Sequence, residues 1–288
     1  MGRIGIVTDS TADVPAEMAR DLGISVIPCQ VIFGDTTYQD GVDLSPEEFY
    51  ARLSRSQELP HTSPPPDQAC IETYRRLIDE EGCEAVFSIH VAGTLSGTTN
   101  AAWAAVQALP DPARIEIVDS GQVSMGLGWI VVEAARAAQG TLRAAPGTAR
   151  AQVAAAIRSA LPRVRTVAMI DTLENLYKGG RIRLFSAALG TALQIKPLVS
   201  LADGEITVWA KVRTRSRALN ALVARIQEMG SFQDLAVLHA DAQDLVQILA
   251  SRLQERLPGQ EMPVIPAGSA LVSHLGLGAV GACALIKE

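Results

Sequence analysis

A strand, a helix and a second strand follow one another at the start of the chain, and this order constrains the fold more than any other feature. The predicted strand Ile4–Val7 is short and apolar, as a strand buried on both faces would be. The predicted helix Ala16–Leu22 ends at Gly23, a residue typical of helix C-termini, and a strand is predicted at 25–33. Such a β-α-β unit predicts a parallel sheet.

Alternation of helices and strands continues through the first half of the chain. A polar loop is predicted at 34–43, a helix start at 45–48 and an extended, proline-rich segment at 60–67. The further elements predicted here are helices at 67–80, 98–108, 124–139 and 148–160, and strands at 84–91 and 114–118.

The pattern changes after Pro162, where strands are predicted that flank an Ala-Asp-Gly turn, which is typical of an antiparallel hairpin. The elements predicted for the second half are strands at 165–170, 195–200, 205–210, 235–240 and 262–265, and helices at 173–184, 214–228 and 242–256. We therefore expect an α/β protein of two domains. Residues 1–160 form a parallel-sheet α/β domain and residues 161–288 a mixed α+β domain, with a boundary near 160.

The composition excludes several classes of function. The chain has a net charge of -6, and only 4% of its residues are aromatic, which argues against a nucleic-acid partner. No apolar run approaches the length of a membrane span, and no signal peptide is visible. The cysteines, Cys29, Cys70, Cys83 and Cys283, match no metal-binding spacing. We expect a cytoplasmic protein with reduced, buried thiols, no metal, no cofactor and no stable membrane insertion.

Small hydroxyl side chains cluster where loops leave the predicted strands. Thr62 and Ser63 precede a run of prolines that restricts the loop backbone. Ser96, Gly97 and Thr98 open a helix, where backbone N–H groups and the helix dipole attract anions. Each cluster also suits an ordinary helix cap or turn, so the residues alone leave both interpretations open.

His274 is the last candidate donor, and it stands among glycines that allow a close approach of the backbone. A structural histidine remains the alternative. Two basic runs, at 178–183 and 211–217, indicate either solvated helix starts or a partner surface that includes Arg181, Arg213 and Arg215.

A nucleophilic triad is a further alternative, with Ser96 or Ser63 as nucleophile, His274 as base and Asp9 as orienting carboxylate. Nothing in the spacing favours this triad over simple hydrogen bonding. The segment around Ser96 is neither a nucleophile elbow nor a phosphate-binding loop.

An ordered series of motifs resembles the DegV family, the bacterial fatty-acid-binding proteins that serve as the binding subunit of fatty acid kinase. The motifs are V-T-D-S-T-A-D-V-P at 7–15, D-G-V-D-L-S-P-E-E-F-Y at 40–50, T-S-P-P-P at 62–66, L-S-G-T at 95–98, V-D-S at 118–120, S-M-G-L-G at 124–128, T-L-E-N-L-Y-K-G-G-R-I at 172–182, K-P-L at 196–198 and H-L-G-L-G at 274–278. The resemblance covers essentially the whole chain. The chain departs from the family pattern at Thr99, where a tyrosine is usual, and at Leu277, where a proline is usual.

The resemblance implies a DegV-like fold of two α/β domains with a long-chain fatty acid, of about C14–C18, between them, its chain in an apolar tunnel of the second domain. It implies that the carboxylate is held at the domain interface by a single set of residues: Thr62, Ser63, Ser96, Gly97, Thr98 and His274. It also implies that a separate kinase subunit forms an acyl phosphate for phospholipid synthesis, so that this chain is not itself an enzyme.

Two other functions compete with fatty-acid binding. One is a Ser/His hydrolase that acts on an acyl ester or thioester. The other is a small-molecule kinase subunit that binds a hydroxyketone, which rests on analogy of the first domain alone. The apolar second half favours a lipid over a sugar-like ligand.

Overall fold

The protein is a mixed α/β chain with two compact units. The computed structural model describes residues 2–141, 147–182 and 195–288. Unit 1 comprises Met1–Gln30 and Ser63–Val164, and unit 2 comprises Val31–Thr62 and Arg165–Glu288. Unit 1 contains a parallel sheet and unit 2 a mixed sheet, which confirms the predicted fold class.

The two units do not follow the predicted linear division. The predicted first domain, at 1–160, includes 31–62, whereas the structure groups this segment with residues 165–288. The contacts that hold 31–62 in unit 2 join it to residues about two hundred positions later, for example Tyr50 to Ala267. Contacts between residues so far apart in the chain cannot be predicted from local sequence patterns.

Unit 1 is built on a parallel sheet in the order β2-β1-β6-β7. Its strands are β1 (Arg3–Asp9), β2 (Ile24–Ile27), β6 (Cys83–His90) and β7 (Ile115–Asp119). Its helices are α1 (Ala16–Leu22), α3 (Asp67–Arg75, continued by a π-helical segment at Arg76–Glu80), α4 (Thr98–Gln107), α5 (Met125–Gly140) and α6 (Ala149–Ala160). Val7 and Val86 of the sheet pack with Tyr74 and Val106 of the helices in an apolar core.

The strand predicted at 25–33 is wrong as a single element. It divides at Pro28 and Cys29 into β2 and β3 (Gln30–Phe33), which belong to different sheets. Proline has no N–H to donate to a ladder, and the Cys29 N–H donates to Ser10 Oγ at 3.0 Å instead of to a strand. Apolar residues lie on both sides of this point, Ile27 before it and Val31 after it, which is why the pattern did not show the break.

Unit 2 contains a larger mixed sheet in the order β10-β9-β8-β13-β11-β12. Its strands are β8 (Val164–Met169), β9 (Lys196–Ala202), β10 (Glu205–Val212), β11 (Phe232–His239), β12 (Val264–Pro266) and β13 (Val280–Ile286). The predicted hairpin is confirmed, because β9 and β10 pair antiparallel around Asp203 and Gly204. Both turn residues have positive φ, 51° and 74°, as a two-residue type I′ turn requires.

A small sheet in the order β4-β3-β5 and a group of helices complete unit 2. The remaining elements are β4 (Thr36–Gln39), β5 (His61–Ser63), α2 (Pro46–Leu53), α7 (Glu174–Lys178), α8 (Arg215–Gln227), α9 (Gln243–Arg256) and α10 (Ser269–Leu275). Helix α2 begins at the predicted helix start with a capping box, in which Ser45 and Glu48 bond each other's backbone. Helices α8 and α9 pack on the larger sheet, with Leu222, Val246 and Leu249 in the shared core.

Several elements of unit 2 differ from the predictions. The predicted polar loop at 34–43 contains β4, and the sequence analysis missed α10 and β13 altogether. Strand β13 is rich in alanine and glycine, which are weak strand formers, yet it lies inside the sheet between β8 and β11. Positions 183 and 184 of the predicted helix at 173–184 lie outside the described residues.

All four cysteines are buried, and none of them is in a disulfide. Within the described ranges, no helix is both long and apolar enough to cross a membrane. In the same part of the chain, no group of three or more histidine, cysteine, aspartate or glutamate side chains has a metal-binding arrangement.

Candidate functional site

Two of the predicted site residues, Thr62 and His274, contact each other in unit 2. Thr62 Oγ1 and His274 Nε2 are 2.8 Å apart, although the residues are separated by 212 positions in the chain. Both side chains are half-buried. Thr62 lies in the middle of the short strand β5, and His274 lies in the last turn of α10.

Strand β5 and helix α10, which contain Thr62 and His274, are short, and prolines and a glycine set their ends. Pro60 and Pro64 flank β5 and limit its ladder, since proline donates no hydrogen bond. Helix α10 ends at Gly276, whose φ of 75° suits glycine and whose N–H donates to Val272 O at 2.8 Å. The helix therefore stops immediately after it presents His274.

Gly179 explains part of the K-G-G-R motif. A Cβ added at Gly179 would lie 2.7 Å from His274 Nδ1, which is too close for a real side chain. The end of α7 thus closes directly onto the imidazole ring, and only glycine permits this contact. The sequence analysis treated this motif as a basic run and missed its packing role.

A cavity of about 490 Å³ opens beside Thr62 and His274. Its described lining belongs to unit 2 and consists of Gln57, Glu58, Leu59, Pro60, His61, Thr62, Asn175, Lys178, Gly179, Arg181, Ser273 and His274. Among these residues, Lys178 and Arg181 carry positive charge and Glu58 carries negative charge. The net charge of the described lining therefore favours an anionic ligand over a cationic one.

His274 is neutral at neutral pH. Burial lowers its pKa to about 4, and the positive charges of Arg181 and His61 act in the same direction. A neutral imidazole has one N–H donor and one acceptor nitrogen, so the ring and the Thr62 hydroxyl form an uncharged pair of hydrogen-bonding groups at the cavity.

The other predicted residues form a second group, in unit 1. Ser96 Oγ and Thr98 Oγ1 are 2.9 Å apart, and the Thr98 N–H donates to Ser96 Oγ at 3.3 Å. Gly97 is the N-cap residue of α4 and makes no side-chain cap. A Cβ on Gly97 would lie 3.4 Å from the ring of Pro64, the residue after Ser63. Within unit 1, the S-G-T motif thus lies against Pro64, which directly follows Ser63.

Asp9 does not serve the triad that the sequence left open. Its Oδ2 is 3.0 Å from His90 Nδ1, and His90 Nε2 is 2.7 Å from Ser88 Oγ. This order of groups resembles a Ser-His-Asp triad. All three side chains are fully buried, however, and Ser88 Oγ is also bonded to the Tyr74 hydroxyl. A substrate has no access to this serine.

The three arginines predicted as a partner surface differ in their surroundings. Arg181 is half-buried and lines the cavity. Arg215 is exposed and pairs with Asp171, its Nη2 lying 2.9 Å from Oδ2. Arg213 is exposed on the segment between β10 and α8.

Comparisons with known proteins agree on one family. A family model described as "Uncharacterised protein, DegV family" matches residues 3–287. A DegV domain-containing protein of Streptomyces coelicolor is 36% identical over 285 residues, which cover 96% of each chain. Protein DegV of Bacillus subtilis is 30% identical over 287 residues, which cover 99% of each chain.

Solved structures agree with this result. The structure of DegV, a fatty acid binding protein from Bacillus subtilis, superposes with a TM-score of 0.86 at 29% identity and covers 100% of both chains. A DegV family protein from Thermus thermophilus, described by its fatty acid binding, gives a TM-score of 0.84 at 28% identity, over 99% of this chain and 100% of its own.

We expect His274 of the ligand-free protein to titrate near pH 4, well below an exposed histidine. Because its pKa is lower in the folded than in the unfolded state, the unfolded chain binds more protons between about pH 4 and 6.5, and His274 makes the free energy of unfolding fall as the pH drops through this range. NMR titration of the ring protons measures the pKa directly. A pKa of His274 at or above 6.5 in the wild-type protein would contradict the prediction.

Arg181→Gln should raise the pKa of His274 only partly towards 6.5, since burial is the larger cause of the shift.

We expect Gly179→Ala to displace the His274 ring, because the new methyl group occupies the space that Nδ1 now fills. Overpacking of this kind costs about 1–3 kcal/mol of unfolding free energy, which urea denaturation measures, and the ring resonances of His274 should shift. Gly140→Ala is the matched control, since a Cβ there meets nothing within 4 Å. Equal behaviour of the two variants would count against the packing role of Gly179.

Proposed function

Because this chain belongs to the DegV family, we propose that it binds a long-chain fatty acid, of about C14–C18, in the cytoplasm and presents it to a separate kinase. Thr62 and His274 hold the carboxylate, and Ser63, Ser96, Gly97 and Thr98 supply the further donors. The kinase transfers the γ-phosphoryl group of ATP to a carboxylate oxygen, which yields ADP and an acyl phosphate for phospholipid synthesis.

The observation that carries this proposal is the Thr62–His274 pair at the edge of a cavity whose described lining includes Lys178 and Arg181. A carboxylate removed from water needs several hydrogen-bond donors, because an unpaired buried charge is costly. With the imidazole Nε2–H donating to Thr62 Oγ1, the threonine hydroxyl keeps its own proton to donate to the carboxylate. Such a bond to a charged acceptor is stronger than one between neutral groups.

The acyl chain supplies most of the affinity. Each methylene group that leaves water contributes about 0.8 kcal/mol, so a long chain binds tightly even where the head group is held by neutral donors. The solved fatty-acid-binding relatives from Bacillus subtilis and Thermus thermophilus support the same ligand class.

A binding role, with the chemistry performed by the partner, fits the serines better than a hydrolase does. Ser96 Oγ is bonded to Thr98 Oγ1, a hydroxyl that is no base. The serine that does face an imidazole, Ser88, is fully buried. A fluorophosphonate probe should therefore leave Ser96, Ser63 and Ser88 unlabelled, and covalent labelling of any of them would favour the hydrolase.

We expect protein purified without added lipid to carry a C14–C18 acid, which extraction and mass spectrometry identify. Thr62→Val, which keeps the shape and removes the hydroxyl, should weaken the affinity for palmitate about tenfold or more, the value of a hydrogen bond to a charged group. Thr62→Ser restores a hydroxyl and should restore most of the affinity. A ligand-free protein with no affinity for such acids would refute the proposal.

The kinase partner is tested separately. With a fatty acid kinase catalytic subunit and ATP, Arg213→Ala should lower the rate of acyl phosphate formation several-fold while leaving fatty-acid affinity unchanged, because Arg213 is exposed and positioned to act on a partner through charge. Arg158→Ala, an exposed arginine on α6 of unit 1, is the control. If both variants match the wild type, the surface around Arg213 is not the docking site.

A further inference from the structure

The segment 40–50 holds the backbone that leads into α10, although it lies more than two hundred positions away in the chain. The Ser269 N–H donates to Asp40 Oδ1 at 3.0 Å. The Tyr50 hydroxyl donates to Ala267 O at 2.5 Å and lies 3.3 Å from His239 O. Asp40 and Tyr50, the first and last residues of the motif, are both buried.

Helix α10 needs these contacts because it does not cap itself. Its N-cap residue is Gly268, which has no side chain to accept an N–H of the first turn. The side chain of Asp40 replaces that cap, because its Oδ1 accepts the Ser269 N–H at the start of the helix. The first turn of α10 is thus fixed by a residue from another part of unit 2.

Asp40 and Tyr50 are themselves held at a defined separation. The Gln39 N–H donates to Asp43 Oδ2 at 2.8 Å, and the Gly41 N–H donates to Leu44 O at 3.2 Å. The capping box then starts α2, whose Phe49 is fully buried beside Tyr50. The turn at 39–44 and helix α2 therefore hold Asp40 and Tyr50 in fixed positions relative to each other.

The position of α10 is transmitted to His274 over a short distance. The helix has seven residues, or about two turns, and the Ser273 hydroxyl bonds back to Ser269 O at 2.8 Å. A shift of its first turn therefore moves the imidazole that pairs with Thr62 at 2.8 Å and that packs against Gly179.

We propose that Asp40 and Tyr50 are positioning residues that set the place of His274 by holding the start of α10. The consequence for ligand affinity rests on the proposed function, whereas the consequence for the histidine itself does not. This gives the D-G-V-D-L-S-P-E-E-F-Y motif a role at a distance from the ligand.

The test uses Tyr50→Phe, which removes only the hydroxyl, in the full-length, ligand-free protein. Loss of the hold on α10 lets the ring become more exposed, so the pKa of His274 should rise from about 4 towards 6.5, as measured by NMR titration. The affinity for palmitate should fall about tenfold, as for one lost hydrogen bond to a charged group. Tyr38→Phe is the matched control, because Tyr38 lies on β4, just before the segment, and its hydroxyl accepts a hydrogen bond from Arg52 instead of contacting the backbone before α10. It should leave both values unchanged.

Two substitutions of Asp40 give a second test, in which the size of the effect on His274 should differ. Asp40→Asn keeps an oxygen that accepts the Ser269 N–H, so its effect on His274 should be smaller than that of Asp40→Ala. If Asp40→Ala does not fold, Asp40→Asn and Tyr50→Phe still decide the question.

Two outcomes separate this proposal from others. If the variants lose stability but the pKa of His274 stays near 4, the residues are only structural and the proposal is overturned. If the pKa of His274 moves as expected while the wild-type protein binds no fatty acid, the positioning role stands and the proposed ligand is refuted.

Discussion

The fully buried carboxylate of Asp9 is the constraint on which unit 1 depends. Burial alone raises the pKa of Asp9, but its hydrogen bond and charge interaction with His90, together with hydrogen bonds from Thr11 and Val91, outweigh burial and hold the pKa below its usual range. The donors come from the carboxyl ends of two neighbouring strands, because Thr11 follows β1, whereas His90 ends β6 and Val91 follows it. An unpaired charge here is costly, so the charge of Asp9 ties the ends of the two strands together. Thr99 extends the same network to α4, since its hydroxyl donates to Val91 O.

In unit 2, the segment 31–62 determines where the residues of the candidate site lie. Segment 31–62 brings Thr62 to His274 and also brings Asp40 and Tyr50 to the start of the histidine's helix. The segment therefore contributes one member of the pair and braces the other. This explains why a stretch that precedes most of unit 1 in the chain belongs to the second compact unit.

Features with a local cause were predictable from the sequence, and features with a distant cause were not. The hairpin at Asp203–Gly204 and the capping box at Ser45–Glu48 follow from adjacent residues and agree with the structure. The break at Pro28 was hidden inside an apolar run, and β13 was hidden because its small residues form a strand only through their neighbours on both sides. At the site, the Thr62–His274 contact rested on resemblance alone, whereas the fit of Gly179 against the ring needed coordinates.

The choice of neutral donors has a chemical consequence under the proposed function. A bidentate arginine pair would hold both carboxylate oxygens strongly and would lower the reactivity of the oxygen that must attack a phosphoryl group. A hydroxyl and a neutral imidazole orient the carboxylate more weakly, and the acyl chain supplies the affinity that they do not. Arg181 lines the same cavity, and its charge adds to the larger effect of burial, which lowers the pKa of His274 to about 4. In the ligand-free protein, the charge of Arg181 lowers the pKa of His274. Under the proposed function, the same charge attracts the fatty-acid carboxylate into the cavity.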